Sequence, residues 1–273
     1  LGYKPNAIAQ GLALQKTTTI ALVIPEASFT YTGQIINGLL DVAKIYKYNI
    51  MLHTTTEGIN EINDIIENII KSRVDGVVIY NDKLMREELN TLTKYNVPIV
   101  IIGNKVSDAK ISSVYVDIEN AVYELVMKYL EGGKHDIAII QDRKNGYSID
   151  QMEFNGYLEI PSQYRTSYDF MKDYLQDHKH DLIIANRDSQ AIAVVNAAKE
   201  NGIDIPKEME IVCVIDTKYN SMMRPQISSF AIPSYDLGAV SMRVMTKMLQ
   251  ENTDDIDKEI ELSYLFTPRQ STL

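Results

Sequence analysis

Arg243 and Lys247 are the residues whose types and spacing most directly suggest binding chemistry. They lie four positions apart in residues 235–250, where apolar residues recur with helical periodicity, so both cations and Asp236 fall on one stripe of a predicted helix. A planar guanidinium beside a lysine ammonium suits a phosphate group, whose charge would also relieve the repulsion between the cations. A solvated helix face explains the same pattern. The apolar side of this helix is expected to carry Leu237, Ser241, Val244, Met245 and Met248.

The nucleophiles and imidazoles of the chain give little support for catalysis. Cys213 lies in an apolar run, which favours an inert core thiol. His178 and His180 could bind a metal, but they fall in an acidic, polar turn with no third ligand nearby in sequence, and His53 and His135 are scattered. The sequence contains no phosphate-binding loop with a lysine and no Gly-x-Ser-x-Gly motif. We therefore expect a protein that is not an enzyme and that holds no metal or cofactor.

Residues 1–16 predict a short helix, which a polar tether at residues 15–19 connects to the rest of the chain. Pro5 suits the first helical turn, where its missing N–H costs nothing, but a helix over residues 6–14 is too short to be stable in water alone. We therefore expect a partner outside the core to order this segment. Because the sequence begins at Leu1 and not at methionine, we also expect a further segment before it.

Length and composition favour a two-lobed globular protein. The chain has 273 residues, of which 45% are hydrophobic and 23% charged, and its net charge is −10. This length is large for a single core, and the acidic balance with scattered cations argues against strong duplex binding by the core itself. We expect a cytoplasmic protein, since we find no membrane-spanning run or signal pattern and the single cysteine fits a reducing compartment.

Short β-branched runs alternate with helical periodicity along the chain. This alternation predicts doubly wound parallel sheets with helices on both faces, and the number of strands suggests two sheets. We predict helices around residues 62–70, 117–130, 189–199 and 235–250. The predicted strands are 20–24, 50–53, 76–80, 99–102, 113–116, 137–140, 182–185, 211–215, 228–232 and 263–266.

Several motifs follow one another in a fixed order. They are Pro-Asn-x-x-Ala-x-x-Leu at residues 5–12, Val-Asp-Gly at 74–76, Gly-Lys-His-Asp-Ile-Ala at 133–138, Gly-x-x-x-Pro at 202–206 and Arg-Pro at 224–225. In these motifs the chain resembles the LacI/GalR family of bacterial transcriptional regulators, and the resemblance covers essentially its whole length. It implies the two-lobed α/β fold of type I periplasmic binding proteins, with three crossover segments between the lobes.

The same resemblance implies a division of the chain into hinge and lobes. Residues 1–16 match the hinge, residues 17–111 and 231–252 the N-lobe, and residues 112–230 and 253–273 the C-lobe. In the family the hinge helix enters the DNA minor groove. A helix-turn-helix domain before Leu1 and a homodimer are implied as well. The hinge residues that match are Pro5, Asn6, Ala9 and Leu12.

Residues 45–50, 235–243 and 269–272 resemble a branch of the family that acts in carbon catabolite control. This branch responds to the phosphocarrier protein HPr when HPr is phosphorylated on a serine. The resemblance therefore implies HPr as a partner of this chain. The matching contact residues are Asp41, Tyr46, Tyr235, Asp236, Arg243, Lys247 and Arg269.

The effector cleft departs from the family pattern. Asp216 matches an aspartate that accepts hydrogen bonds from sugar hydroxyls, but the Gly-Phe before it is replaced by Val214 and Ile215. Glu153 replaces an arginine, Asn104-Lys105 replaces an aspartate-arginine pair, and the stretch between Tyr157 and Tyr168 lacks most of a helix and a strand. A sugar or phosphosugar effector is therefore in doubt. Phe29, Tyr31 and Tyr80 are the implied aromatic contacts, and a packing role suits them equally.

Three functions follow from the sequence. The first is the HPr-responsive core of a dimeric regulator, the second is a sugar-responsive repressor core, and the third is an extracytoplasmic solute-binding protein. The hinge argues against the third, because a transporter subunit has no use for a helix that enters DNA.

Overall fold

The computed structural model describes residues 17–25, 30–55, 59–80, 86–106, 110–141, 156–250 and 257–273. The predicted hinge residues Pro5, Asn6, Ala9 and Leu12 and the predicted effector contact Phe29 lie outside these ranges. Tyr31 lies in a described helix, but its side chain is not among those described.

Strands and helices mostly alternate along the described residues, as expected of a doubly wound fold. In chain order they are β1 (Thr19–Pro25), α1 (Thr30–Tyr46), β2 (Asn49–Thr55), α2 (Ile59–Lys71), β3 (Gly76–Ile79), α3 (Arg86–Lys94), β4 (Ile99–Ile102), β5 (Ile111–Tyr115), α4 (Ile118–Glu131), β6 (Ile137–Gln141), β7 (Tyr157–Glu159), α5 (Tyr164–Asp177), β8 (Leu182–Ala185), α6 (Asp188–Glu200), β9 (Glu210–Cys213), α7 (Lys218–Met222), β10 (Ser228–Ala231), α8 (Ser234–Leu249), β11 (Glu259–Glu261) and β12 (Leu265–Thr267).

The first compact unit comprises Leu1–Val116 and Pro233–Leu262. Its described part contains a parallel sheet with strand order β11-β5-β4-β3-β1-β2. Every residue of β3 and β4 is buried, as is typical of parallel strands covered by helices on both faces. Ile66 and Ile69 of α2 pack into the core cluster on one face. Helix α8 packs on β3, β4 and β5.

The second compact unit comprises Asp117–Ile232 and Ser263–Leu273. Its sheet has the strand order β12-β10-β9-β8-β6-β7 in the described residues. Helices α5 and α6 cover one face, where Met171, Leu175 and Val194 join the core cluster with residues of β8 and β9. The sheet is parallel except at its edge, where β12 pairs antiparallel with β10.

The predicted α/β class with two parallel sheets is confirmed. Residues 263–266 were predicted as a parallel strand, but β12 runs antiparallel to β10. The chain reaches β12 from the first unit and not through a crossover helix of the second unit, so a parallel orientation is not imposed. Strands β7 and β11 were missed, since each has only three residues and no β-branched run. β7 pairs with β6 and is a short strand of three residues in the stretch that the resemblance implied to lack most of a helix and a strand.

The chain passes between the units at residues 116–117, 232–233 and 262–263. The first passage lies later than the expected one at 111–112 because β5 pairs with β4 in the first sheet. The last lies later than the expected one at 252–253 because β11 pairs with β5. Within the described ranges, no helix combines the length and the apolarity that a membrane span requires.

Candidate functional site

Helices α1 and α8 of the first unit cross with their backbones in contact. A Cβ atom added at Gly38 would overlap the carbonyl group of Tyr235, and one added at Gly238 would overlap the carbonyl group of Ile35. Only glycine permits such an approach, because every other side chain would force the two helices apart. The crossing therefore places the polar residues at its border within reach of one another.

Tyr235 and Asp41 form a hydrogen bond across this crossing. The hydroxyl of Tyr235 donates to Oδ2 of Asp41 at 2.9 Å. This bond, followed by partial burial, raises the pKa of Tyr235 above its ordinary value, so the hydroxyl remains a donor. The ring is still 41% exposed, which leaves one side of it open to a partner.

The exposed residues of α8 form a single stripe. Leu237, Ser241, Val244 and Met245 are buried, as predicted from the helical periodicity, whereas Met248 is only half-buried. Among the described residues, no carboxylate lies within ion-pair distance of Arg243 or Lys247, so both cations face solvent. The exposed residues of the helix are Tyr235, Asp236, Arg243 and Lys247.

The end of α1 extends this stripe with apolar groups. Tyr46 is 44% exposed, and Ile45, one helical turn beyond Asp41, is 73% exposed. Ile45 therefore offers apolar surface beside Asp41 that a partner could bury. Sequence reasoning missed Ile45, although its spacing from Asp41 could have indicated it.

Arg269 lies in the second unit, where it pairs with Asp216. Its Nη2 lies 2.8 Å from Oδ2 of Asp216, and its Nη1 donates to the carbonyl of Ile227 and to Oγ of Ser229. Oδ1 of Asp216 accepts a further bond from Ser229 at 2.9 Å. The structure thus joins in one ion pair two residues that the resemblance had assigned to the partner site and to the effector cleft.

The carboxyl edge of the second sheet also holds buried amides. The side-chain oxygens of Asn186, after β8, and of Asn220, in α7, accept no hydrogen bond from the described residues. Asn220 is anchored through its amide nitrogen, which donates to the carbonyl of Ile215 at 2.8 Å. Buried acceptors of this kind can receive a ligand hydroxyl. No sequence motif had pointed to these two residues.

Tyr80 directly follows β3 and is half-buried. Its ring packs against Gly103, whose φ of +95° is a conformation that favours glycine. A Cβ at that position would lie 3.2 Å from the ring. The ring of Tyr80 therefore packs against the backbone of the first unit at Gly103.

The thiol of Cys213 and the imidazole of His180 are engaged in structural contacts. Cys213 is buried, donates to the carbonyl of Ile215 at 3.2 Å, and has its pKa raised to about 12 by burial. His180 lies between the carboxylate of Asp136 at 2.6 Å and the hydroxyl of Tyr174 at 2.9 Å, so both ring nitrogens are occupied. Among the residues with described positions, no group of three or more His, Cys, Asp or Glu could hold a metal.

Residues 134–272 match the family model of the periplasmic binding protein-like domain. Catabolite control protein A of Staphylococcus xylosus is 33% identical over 277 residues, which cover 94% of this chain and 82% of that protein. Transcription regulator CcpA of Lactococcus lactis has a similar structure, with a TM-score of 0.81 and 24% identity over 93% of this chain and 99% of that one. The lac repressor dimer bound to operator and the anti-inducer ONPF gives a TM-score of 0.85 at 18% identity, with both chains fully covered. These relatives are transcriptional regulators and not enzymes.

Proposed function

Because the chain belongs to the LacI/GalR family and is the effector-binding core of a transcriptional regulator, we propose that its regulatory partner is serine-phosphorylated HPr. The partner binds the first unit on a surface that we call the docking face. On operator DNA the protein acts in the cytoplasm as a homodimer, since a two-fold operator needs two hinge helices side by side. The docking face consists of Asp41, Ile45, Tyr46, Tyr235, Asp236, Arg243 and Lys247.

The observation that carries this proposal is the arrangement of the exposed stripe of α8. Tyr235, fixed by Asp41, and the adjacent Asp236 lie two helical turns from Arg243, which is roughly 11 Å along the helix axis. A partner that fits this face presents hydrogen-bonding groups at one end and a phosphate at the other. A phosphoserine brings about −1.5 to −2 charges and three acceptor oxygens to the arginine fork.

Arg269 has no part in the phosphate contact that we propose. Its guanidinium is held by Asp216, Ile227 and Ser229, and its side chain is only 15% exposed. Binding a phosphate would require it to leave that carboxylate. Arg243 and Lys247 are already open to solvent, so they can receive the phosphate without such a loss.

Calorimetric titration tests the proposal directly. The chain is titrated with HPr, with serine-phosphorylated HPr and with a panel of sugars and phosphosugars. We expect saturable binding of the phosphorylated form and much weaker binding of the unphosphorylated form. Equal affinity for the two forms would show that the docking face does not read the phosphate.

Substitution of the two cations gives the first specific prediction. Arg243→Ala should weaken the binding of phosphorylated HPr by about tenfold or more, because charge-assisted hydrogen bonds contribute about 1.5–3 kcal/mol each. Lys247→Ala should have a smaller effect, since a lysine supplies one point charge and no fork. Arg165→Ala is the matched control, because that arginine is exposed in the second unit and pairs with Asp169. A larger effect from Lys247 than from Arg243 would contradict the assignment.

A sugar-responsive core is the second candidate function. It is favoured by the buried, unpartnered side-chain oxygens of Asn186 and Asn220. If a sugar is the sole effector, the panel will contain a tight ligand, Asn186→Ala will abolish its binding, and Arg243→Ala will leave it unchanged. The solute-binding protein is no longer a candidate, because the relatives that show the family are regulators.

A further inference from the structure

The carboxylate of Asp75 holds the point at which the tether enters β1. Its Oδ1 accepts from the backbone N–H of Thr17 and its Oδ2 from that of Thr18, both at 2.8 Å. The hydroxyl of Thr17 donates to the same carboxylate at 3.0 Å. The backbone N–H of Asp75 donates in turn to the carbonyl of Thr19 at 2.8 Å. One residue of the Val-Asp-Gly motif thus holds the last two residues of the tether and the first residue of β1.

The clamp holds Thr18 in an unusual backbone conformation. This residue has a φ of +49°, in the left-handed region that β-branched side chains rarely adopt. Its carbonyl accepts from the N–H of Asn49 at 2.8 Å, while the hydroxyl oxygen of Thr17 also lies 3.0 Å from the carbonyl oxygen of Arg73. Bonds on both sides of Thr18 therefore fix the backbone at the start of β1.

The next residue in sequence contacts the helix that carries the docking face. A Cβ at Gly76 would overlap Sδ of Met245, whose side chain fills the space above this glycine. Met245 is fully buried on α8 and lies two residues from both Arg243 and Lys247. The dipeptide Asp75-Gly76 thus touches the tether on one side and the docking helix on the other.

We propose that the Asp75-Gly76 dipeptide couples the docking face to the tether. A displacement of α8 moves Met245 against Gly76, and the shift of the β3 backbone alters the carboxylate clamp on Thr17 and Thr18. Asp75 is then a positioning residue that sets the direction of the segment before β1. For its regulatory meaning this inference rests on the proposed function, whereas the clamp and its link to α8 can be tested without any partner.

The clamp is tested by hydrogen exchange resolved at single amides of the whole chain. Asp75→Asn removes the charge and turns one acceptor into a donor, so exchange at Thr17 and Thr18 should accelerate by about tenfold or more. Asp64→Asn is the matched control, because Asp64 is exposed on α2, and it should leave both rates unchanged. Unchanged exchange at Thr17 and Thr18 in Asp75→Asn would overturn the proposal.

The link to α8 is tested with a pair of substitutions that exchange volume. Gly76→Ala pushes on the flexible end of Met245 and should accelerate exchange at Thr17 and Thr18 by about threefold or more, within the range expected for coupling between contacting elements. Met245→Ala added to Gly76→Ala makes room for the new Cβ, and the rates should then return toward the unsubstituted values. A Gly76→Ala protein that changes exchange in α8 but not at Thr17 and Thr18 would refute the coupling.

Hydrogen exchange can also be measured in the unsubstituted chain with saturating serine-phosphorylated HPr, so this test does not depend on the folding of a variant. Binding should change the rates at Thr17 and Thr18, and Arg243→Ala should abolish that change. Binding without any change at these amides would refute the coupling and leave the proposed function standing. Absence of binding would refute the proposed function, and Gly76→Ala would still decide the coupling.

Discussion

Asp216→Ala should destabilise the second unit through Arg269. The substitution removes the counterion of a guanidinium whose side chain is 15% exposed. Breaking a fully buried pair costs about 3–5 kcal/mol. Here Asp216 retains 22% exposure and Arg269 keeps its bonds to Ile227 and Ser229. We therefore expect a loss of about 2–3 kcal/mol in the free energy of unfolding, below the fully buried limit.

Thermal unfolding followed by far-UV circular dichroism measures this loss. Large domains lose about 2–4 °C in Tm for each kcal/mol, so the Tm of the second unit should fall by about 4–12 °C. Asp169→Ala is the matched control, because Asp169 belongs to an exposed ion pair with Arg165. Exposed pairs contribute about 0–1 kcal/mol, so the control should change the Tm only slightly.

A double substitution separates the buried charge from other effects. Asp216→Leu combined with Arg269→Met removes both charges and should recover most of the stability, since an apolar pair of similar volume often replaces a buried ion pair without loss. If Asp216→Ala and Asp169→Ala have equal effects, the pair is not shielded from solvent as described. If the double variant is less stable than Asp216→Ala, the unpaired guanidinium is not the cause of the loss.

Three other predictions follow from the packing and the composition of the chain. Gly238→Ala should lower the free energy of unfolding in urea by about 1–3 kcal/mol, because its Cβ meets the carbonyl of Ile35. Gly33→Ala, with open space around it, should be neutral or stabilising, and equal effects of the two substitutions would contradict the close crossing of α1 and α8. Cys213, with its pKa raised to about 12 by burial, should resist thiol reagents at pH 8 until the chain unfolds, and labelling of the native protein would refute its burial. The chain of residues 1–273 should sediment as a dimer at micromolar concentration and bind operator weakly. Fusion to a helix-turn-helix domain should strengthen binding, and Leu12→Ala should then reduce it; a monomer or tight binding by the core would contradict the assembly.

The regular elements of the core could be predicted from sequence because their signal is local. β3 and β4 are runs of apolar, β-branched residues, and the periodicity of residues 235–250 identified the buried and exposed sides of α8. β7 and β11 carry too few residues for such a signal. They exist because neighbouring strands offer unpaired backbone groups, which only the tertiary structure reveals.

The candidate site was predictable only in part for the same reason. The stripe of Arg243 and Lys247 follows from spacing along one helix, but the bond between Tyr235 and Asp41 joins residues 194 positions apart. The pairing of Arg269 with Asp216 likewise depends on how β10 and the C-terminal segment meet. Neither contact leaves a pattern in a single sequence.

The crossing of α1 and α8 has a consequence for synthesis of the protein. Helix α1 leaves the ribosome early, whereas α8 follows only after the entire Asp117–Ile232 segment has been made. Until then the first sheet lacks α8 and β11, and the hydrogen bond between Tyr235 and Asp41, which would orient a partner, cannot form. An incomplete polypeptide therefore cannot present this surface, so a partner that recognises it engages finished molecules alone.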